Sequence, residues 1–393
     1  MYNPRYSVVI ESGEVVLMYS PGKDILESLG LSPVISATGT VTAYGGSRLR
    51  PEVMDAMNRA SNTMVNMDEL NVAVGKQIAA VTGAEAGMVT SGAAGGLILQ
   101  AAAVVAGSDP INMKKLPDTT GLKNEIIIHR SHRFPYDQCY LSVGAKFVEI
   151  GDGRRCQPWE LEGAFTENTA AVAYLFSPFI TRRALPFEYV CETAHSKGIP
   201  VIVDAASYLP PRANITRFIR EGADMVIYSG GKGIRGPQGT GVLCGRADLI
   251  EAAYANASPH QFIGRGLKVA KEEIIGLSKA LEIFIDEDEE EENRRYQTMC
   301  NQVIDALIEI PGINIETKFD PYDYLIPTAV ITFDPDRKGL SRDQVWEQMI
   351  DSKPSIYLSN LGTPEELAVD PFNIADSELE IVIDRLQELL VQN

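Results

Sequence analysis

One lysine set among glycines is the residue best placed to do chemistry. Lys232 stands in Tyr228-Ser229-Gly230-Gly231-Lys232-Gly233-Ile234-Arg235-Gly236-Pro237-Gln238-Gly239-Thr240-Gly241, directly after an apolar run. A lone lysine on a loop is by default a solvated surface charge. A flexible backbone reached through apolar chain instead suits an amine held in a partly dry site, where its pKa falls and it becomes nucleophilic. The stretch is no P-loop, because Gly233 rather than Ser or Thr follows the lysine. Asp204 lies 28 residues earlier, at the end of Val201-Ile202-Val203. An acid there suits a helix cap as well as a metal ligand, a base or a cofactor partner. The third stretch, Thr90-Ser91-Gly92-Ala93-Ala94-Gly95-Gly96, precedes the helical run Leu97–Val105. Small residues let backbone N–H groups approach an anion and the helix start adds its dipole, although such glycines also make plain turns.

The three together select one cofactor. Pyridoxal 5′-phosphate needs a lysine for the Schiff base, an acid beside the ring nitrogen, an anion cradle and something flat against the ring. The acid keeps the pyridine nitrogen protonated, so the ring takes up electrons as a bond to Cα breaks. The interval between Asp204 and Lys232 leaves room for a helix and a returning strand, which puts both side chains at one edge of a sheet.

The elements that must position these groups are legible in the pattern. Apolar, β-rich runs occur at 87–90, 125–129, 146–150, 170–176, 199–203, 224–228 and 240–244, with helical patterns at 51–61, 70–82 and 187–197 between them. Such alternation predicts a mostly parallel sheet between helices, with ligands at the strand ends. Its strands lack polar alternation, as strands buried on both faces do. From Leu267 onward a long amphipathic helix is expected to run into the acidic stretch Asp286–Glu292, a solvated helix end with Arg294 and Arg295 beside it. A strand at 328–333, a helix around 342–350 and a closing helix from Ser377 suggest a smaller α+β domain. The expected organisation is an N-terminal segment 1–33 packing with the small domain, a large domain 34–262, a linker helix 263–298 and the small domain 299–393.

Composition narrows the class. The 393 residues include 35 Lys and Arg against 53 Asp and Glu, a net charge of −18, which argues against a nucleic-acid partner. No apolar stretch reaches the roughly 18 residues of a membrane span, and the N-terminus lacks the basic and apolar pattern of a secretion signal. Five scattered cysteines without a C-x-x-C pair disfavour structural zinc and disulfides, so a cytoplasmic setting is expected.

The stretches "VDAAS" and "YSGGKGIRGPQGTG" resemble the aspartate and lysine segments of fold-type I pyridoxal-phosphate enzymes. More narrowly, "ISATGTVTAYGGSRLRPEVMDAM", "TGAEAGMVTSGAAGGL", "SHRFPYD", "VGAKFVEIGD" and "GRGLKVAKEEIIGL" resemble the group containing bacterial selenocysteine synthase and D-glucosaminate-6-phosphate ammonia-lyase. The resemblance runs from about residue 34 to residue 280. It implies an α/β fold-type I large domain with a mostly parallel seven-stranded sheet and a smaller C-terminal domain. It implies Lys232 as the Schiff-base lysine and Asp204 as the pyridinium partner. Ser91, Gly92, Ala93 and Ser229 would bind the phosphate, His132 would stack on the ring, and Ser207 would lie near the ring 3′-oxygen. Arg265 would reach the phosphate in a neighbouring subunit, since sites of this type lie at dimer interfaces. His129 is expected to face away from His132 if the segment is extended, so no metal pair is proposed. His195 and His260 are left as structural histidines.

The activity so implied is α,β-elimination from a small β-hydroxy amino acid or amino-sugar acid, with or without a phosphate, giving a 2-keto acid and ammonia. Arg48, Arg50, Arg182, Arg183 and Arg235 are candidates to grip the substrate's anionic groups, against solvent exposure for each. Phe372 in "VDPFNI" stands where an arginine is expected in relatives. Racemisation or retro-aldol cleavage on the same scaffold, and binding without turnover, are the competing readings. Selenium transfer to seryl-tRNA is disfavoured by the charge and by the absence of a tRNA-binding stretch before "ISATGT".

Overall fold

A computed structural model of the chain describes residues 9–11, 14–16, 23–180 and 183–391. Seven strands form the central sheet: β1 (Ala86–Ser91), β2 (Glu125–His129), β3 (Lys146–Ile150), β4 (Thr169–Leu175), β5 (Val201–Asp204), β6 (Met225–Ser229) and β7 (Thr240–Gly245). Their order is β1-β7-β6-β5-β4-β2-β3. Neighbours from β3 to β6 pair in parallel, and β7 alone runs against both β6 and β1. The expected mostly parallel sheet is therefore present.

Period-two geometry explains the uninterrupted apolar runs. In β5, Val201 and Val203 enter the core on one face, while Ile202 enters the core on the other. The first core receives helices α1 (Pro51–Ser61) and α2 (Met67–Thr82), including Val53, Leu70 and Ile78. The second receives α3 (Gly92–Ala106) through Leu97, Leu99 and Ala103. Asn66 caps α2 by accepting from Asp68 and Glu69, and Gly83 ends it at φ +72°.

The single long linker helix expected after Leu267 is instead two helices, α4 (Lys271–Asp286) and α5 (Glu289–Leu307). Glu287 is extended, and the Asp288 carboxylate caps α5 by accepting from Glu290 and Glu291 N–H at 2.9 and 3.2 Å. Four glutamates in the first turn then face the positive end of the helix dipole. The acidic run is also not merely a solvated end. Glu287 and Glu292 pair with both Arg50 and Arg212, tying the linker to the large domain. Arg294 lies 3.8 Å from Asp288 and Glu290, whereas Arg295 turns to Asp376.

The C-terminal part builds a second core on an antiparallel sheet of Ile313–Lys318, Thr328–Phe333 and Glu366–Val369. Its helices are α5, Arg342–Ile350 and α6 (Asp376–Val391). Strand Val34–Ala37, expected at the start of the large domain, pairs in parallel with Ser355–Leu358, and Ile35 and Ala37 join this second core. The two strands form a separate two-stranded sheet, and its alternating burial turns Ile35 and Ala37 into the core. The expected packing of segment 1–33 falls largely outside the described residues.

Candidate active site

The carboxyl-terminal ends of β5 and β6 carry the two charged groups. Asp204 is the last residue of β5, paired with Ile227 of β6, and Lys232 follows β6 by three residues. The lysine loop is held tightly. Gly230 N–H donates to Thr240, Gly236 N–H to Gly230, and Arg235 N–H to Lys232, at 2.8–2.9 Å. A Cβ at Gly231 would strike the Gln238 backbone and one at Gly233 the Leu209 carbonyl, so the two glycines beside the lysine are required by close approach. Segment 38–50 lies against the loop: Ser47 Oγ donates to the Lys232 carbonyl at 2.7 Å and Gln238 Nε2 to Thr42 at 2.9 Å.

Burial governs the electrostatics. It pushes the Lys232 ammonium below its ordinary pKa, opposed by the Asp204 charge. It pushes the Asp204 carboxyl up, opposed by the Ala206 N–H that donates to Oδ1 at 2.9 Å and by Lys232. Among the described residues nothing donates to Asp204 Oδ2, so the site holds a desolvated acid with one oxygen still to be satisfied.

The third stretch meets them at the same sheet edge. Ser91 ends β1 opposite Thr240 of β7, and Ser229 ends β6 opposite Gly241. Neither hydroxyl has a partner among the described residues. Ser91 is also the N-cap of α3, yet makes no side-chain cap; Gly92 N–H goes to the Gly239 carbonyl at 2.8 Å, and the N–H groups that follow it are left to another acceptor. Gly92 has φ +62° and open space where its Cβ would be. Two free hydroxyls, uncapped amides and an open approach match a phosphate monoester in shape and charge. A desolvated amine, an acid with an unclaimed oxygen and this cradle together fit pyridoxal 5′-phosphate.

His132 is 1% exposed and lines a cavity of about 20 Å³ shared with Asp204, Tyr174 and Leu97. Its Nδ1 accepts from Leu175 N–H at 3.2 Å, and its ring meets Tyr174 edge-on at 4.6 Å, so the imidazole plane is fixed. His129 does not face away from it. The segment is a 3₁₀ turn, Arg130–His132, rather than extended chain, and brings the two rings to 5.0 Å. His129 Nε2 accepts from Leu185 N–H, and burial lowers its pKa to about 4, which keeps it neutral. His195 pairs with Asp224 at 2.8 Å and His260 lies 3.0 Å from the Tyr254 carbonyl. Ser207 Oγ sits 3.3 Å from Ser177 Oγ.

The candidate arginines separate by what they already hold. Arg48 pairs with Glu378 at 2.6 Å, Arg50 with Glu287 and Glu292, and Arg183 donates to the Gly153 carbonyl. Arg182 lies outside the described residues. Arg265 is exposed on a loop whose Leu267 packs against Gly95 of α3, near the cradle. Arg235 remains beside the lysine. A groove of about 960 Å³ between α1 and α4, floored by Ala56, Leu70 and Ile275, holds none of these groups.

A family model described as SelA, L-seryl-tRNA selenium transferase, matches residues 34–310. The chain belongs to that family. A 5′-C-glycyluridine monooxygenase-decarboxylase of a Streptomyces species is 33% identical over 378 residues, 93% of this chain and 92% of that protein. D-glucosaminate-6-phosphate ammonia lyase of Salmonella typhimurium is 30% identical, covering 93% and 98% of the two chains. A solved D-glucosaminate-6-phosphate ammonia-lyase superposes with a TM-score of 0.82 over 93% of this chain and 98% of its own, at 30% identity. A NifS-like protein at 16% identity and a TM-score of 0.57 shares the fold. The fold is thus that of fold-type I enzymes, as the resemblance implied.

Three residues at the SelA-family site escaped the sequence reading. Ser47 lay in a quoted stretch, but nothing marked its hydroxyl for the Lys232 carbonyl. Asn373 Nδ2 donates to the carbonyls of Gly39 and Gly46 at 2.8 Å, and Tyr296 receives Arg235 Nη2 at 3.0 Å. Both act from the small-domain side across more than 60 residues of sequence, a distance at which no local pattern survives.

Proposed function

We propose that this chain is a pyridoxal 5′-phosphate-dependent lyase that removes the elements of water from a β-hydroxy amino acid or amino-sugar acid, releasing a 2-keto acid and ammonia. The observation that carries the reading is the pairing of a desolvated Lys232 amine with a desolvated Asp204 whose Oδ2 is unclaimed, at one sheet edge. Lys232 Nζ would hold the cofactor's aldehyde carbon, and Asp204 Oδ2 the proton of the ring nitrogen. Ser91, Gly92, Ala93 and Ser229 would hold the phosphate, with Arg265 reaching it from a neighbouring subunit of a homodimer. His132 would cover one face of the ring, and Ser207 would lie near the ring 3′-oxygen.

The cofactor, when bound, supplies an electron sink for a carbanion at Cα. The chain's own residues then set the outcome. Lys232 Nζ, with its ammonium disfavoured by burial, would serve as the base that takes the Cα proton. Asp204 would hold the proton of the ring nitrogen at Oδ2 and so favour the electron sink. The His132 imidazole, fixed by Leu175 N–H and Tyr174, would cover one face of the bound ring. The Salmonella relative's name supports a phosphorylated amino-sugar acid as substrate, and a cytoplasmic setting accords with these small metabolites. Among the described residues no helix is long and apolar enough to cross a membrane.

The test is direct. Purified protein given the coenzyme should show a visible absorption band, and borohydride should fix the coenzyme on Lys232. D-glucosaminate 6-phosphate and D- and L-serine should then be assayed for keto acid and ammonia. A colourless protein with no adduct would falsify the reading. The 33% identity to a monooxygenase-decarboxylase favours one second reading, oxygen-dependent decarboxylation of an amino acid borne on a nucleoside. Oxygen uptake with carbon dioxide release in place of keto acid would select it. Exchange of the Cα proton alone would select racemisation, and aldehyde release would select retro-aldol cleavage.

A further inference from the structure

An amino-acid substrate brings a carboxylate to Lys232, and the loop itself offers a cation for it. Arg235 follows the lysine by three residues, with its N–H on the Lys232 carbonyl at 2.9 Å. Its φ of +56° lies in the left-handed region, unusual for a residue with a Cβ and sustained only where surroundings compel it. From that backbone the side chain reaches the other domain. Nη2 donates to Tyr296 Oη of α5 and to the Phe372 carbonyl, both at 3.0 Å, and the guanidinium lies 4.2 Å over the Phe372 ring.

What this arrangement omits is an anion. Every partner of the guanidinium is neutral, and among the described residues Nε and Nη1 have no acceptor. Asp370 is near enough to feel the charge but forms no ion pair with it. The other described arginines of this region, Arg48, Arg50 and Arg212, each hold a carboxylate. A half-buried cation given only neutral partners is costly unless an anion arrives. Tyr296 is 2% exposed and packs with Phe372 and Ile326, so its hydroxyl is a rigid anchor.

We propose that Arg235 takes the substrate's carboxylate through its Nε and Nη1 donors, and that Tyr296 and Phe372 are positioning residues that hold the guanidinium from the small domain. The inference rests on the lyase reading and deepens it by naming the carboxylate anchor. It also makes the seating of the small domain a condition for substrate grip, because all three contacts of the guanidinium come from there.

The experiment uses the coenzyme-loaded protein and two kinds of amine, D- or L-serine and ethanolamine, which lacks the carboxylate. Each is titrated against the visible spectrum. The wild type should bind the better serine enantiomer more tightly than ethanolamine, and Arg235→Gln should cut that preference about tenfold or more, as expected for a lost charge-assisted contact. Tyr296→Phe, which keeps the ring in its cluster, should lose several-fold of the preference and raise KM more than it lowers kcat. Both variants should keep the unliganded spectrum and the melting temperature, which excludes a folding defect. A wild type with no carboxylate preference, or a coloured Arg235→Gln that retains it, overturns the assignment. A colourless wild type instead overturns the lyase reading on which it depends.

Discussion

Lys232 and Asp204 are two ordinary side chains whose protonation is shifted by being dried out together. Burial favours the neutral amine and the neutral acid, and each charge partly restores the other. Asp204→Asn keeps the shape but cannot hold a protonated ring nitrogen, so kcat should fall at least about 100-fold, roughly 3 kcal/mol of barrier. Undiminished turnover in that variant would remove Asp204 from the chemistry. Asp370 gives a second prediction at this scale. Burial raises its pKa from 3.8 to about 6, opposed by the Phe372 N–H and by Arg235; Tyr296 and Cys300 of α5 feel its charge. Between those values the folded chain keeps a proton that the unfolded chain has released. Stability therefore falls as pH rises through that window, by at most about 3 kcal/mol. Asp370→Asn retains an acceptor for Phe372 N–H and removes the penalty. Its melting temperature should exceed the wild type's at pH 7 and match it at pH 4; the same difference at both pH values would contradict the assignment.

The elements matter through what they force into contact. The lysine loop is threaded between the Leu209 carbonyl and the Gln238 backbone, with no room for a Cβ at Gly231 or Gly233. Gly233→Ala should cost about 1–3 kcal/mol, read from a denaturant midpoint, because backbone rather than a flexible side chain must give way. The break between α4 and α5 is held by Arg212, whose side chain is 12% exposed and whose guanidinium serves Glu287 and Glu292. Arg212→Gln should destabilise by about 1–3 kcal/mol, less in high salt, since the glutamates remain partly solvated. A variant as stable as the wild type at low salt would show that the acidic run stabilises nothing.

At the scale of the molecule, two cores meet at one loop. Arg235 touches α5 and the Pro371–Asn373 turn, while Asn373 ties the turn to segment 38–50. Charge works at the same scale. A net charge of −18 leaves a phosphate backbone little to bind, despite membership of a family described by a tRNA-dependent reaction. An electrophoretic assay with seryl-tRNA at physiological salt should show no shift, and a salt-dependent complex would revive selenium transfer.

The sequence by itself determined the sheet, because a strand buried on both faces carries few polar side chains, and β4 and β7, buried throughout, are polar only at their opening threonines and Tyr174. It also singled out Lys232 and Asp204 as candidates, since a glycine-bracketed amine and an acid ending an apolar strand are local patterns. Tertiary structure decided the rest. Whether an arginine is committed depends on carboxylates hundreds of residues away, as Arg48 with Glu378 and Arg235 without one demonstrate. The facing of His129 toward His132 turned on one 3₁₀ turn, and the linker broke where Asp288 found two N–H groups to cap. Long-range electrostatics and backbone direction are properties of folded space, and no spacing along the chain encodes them.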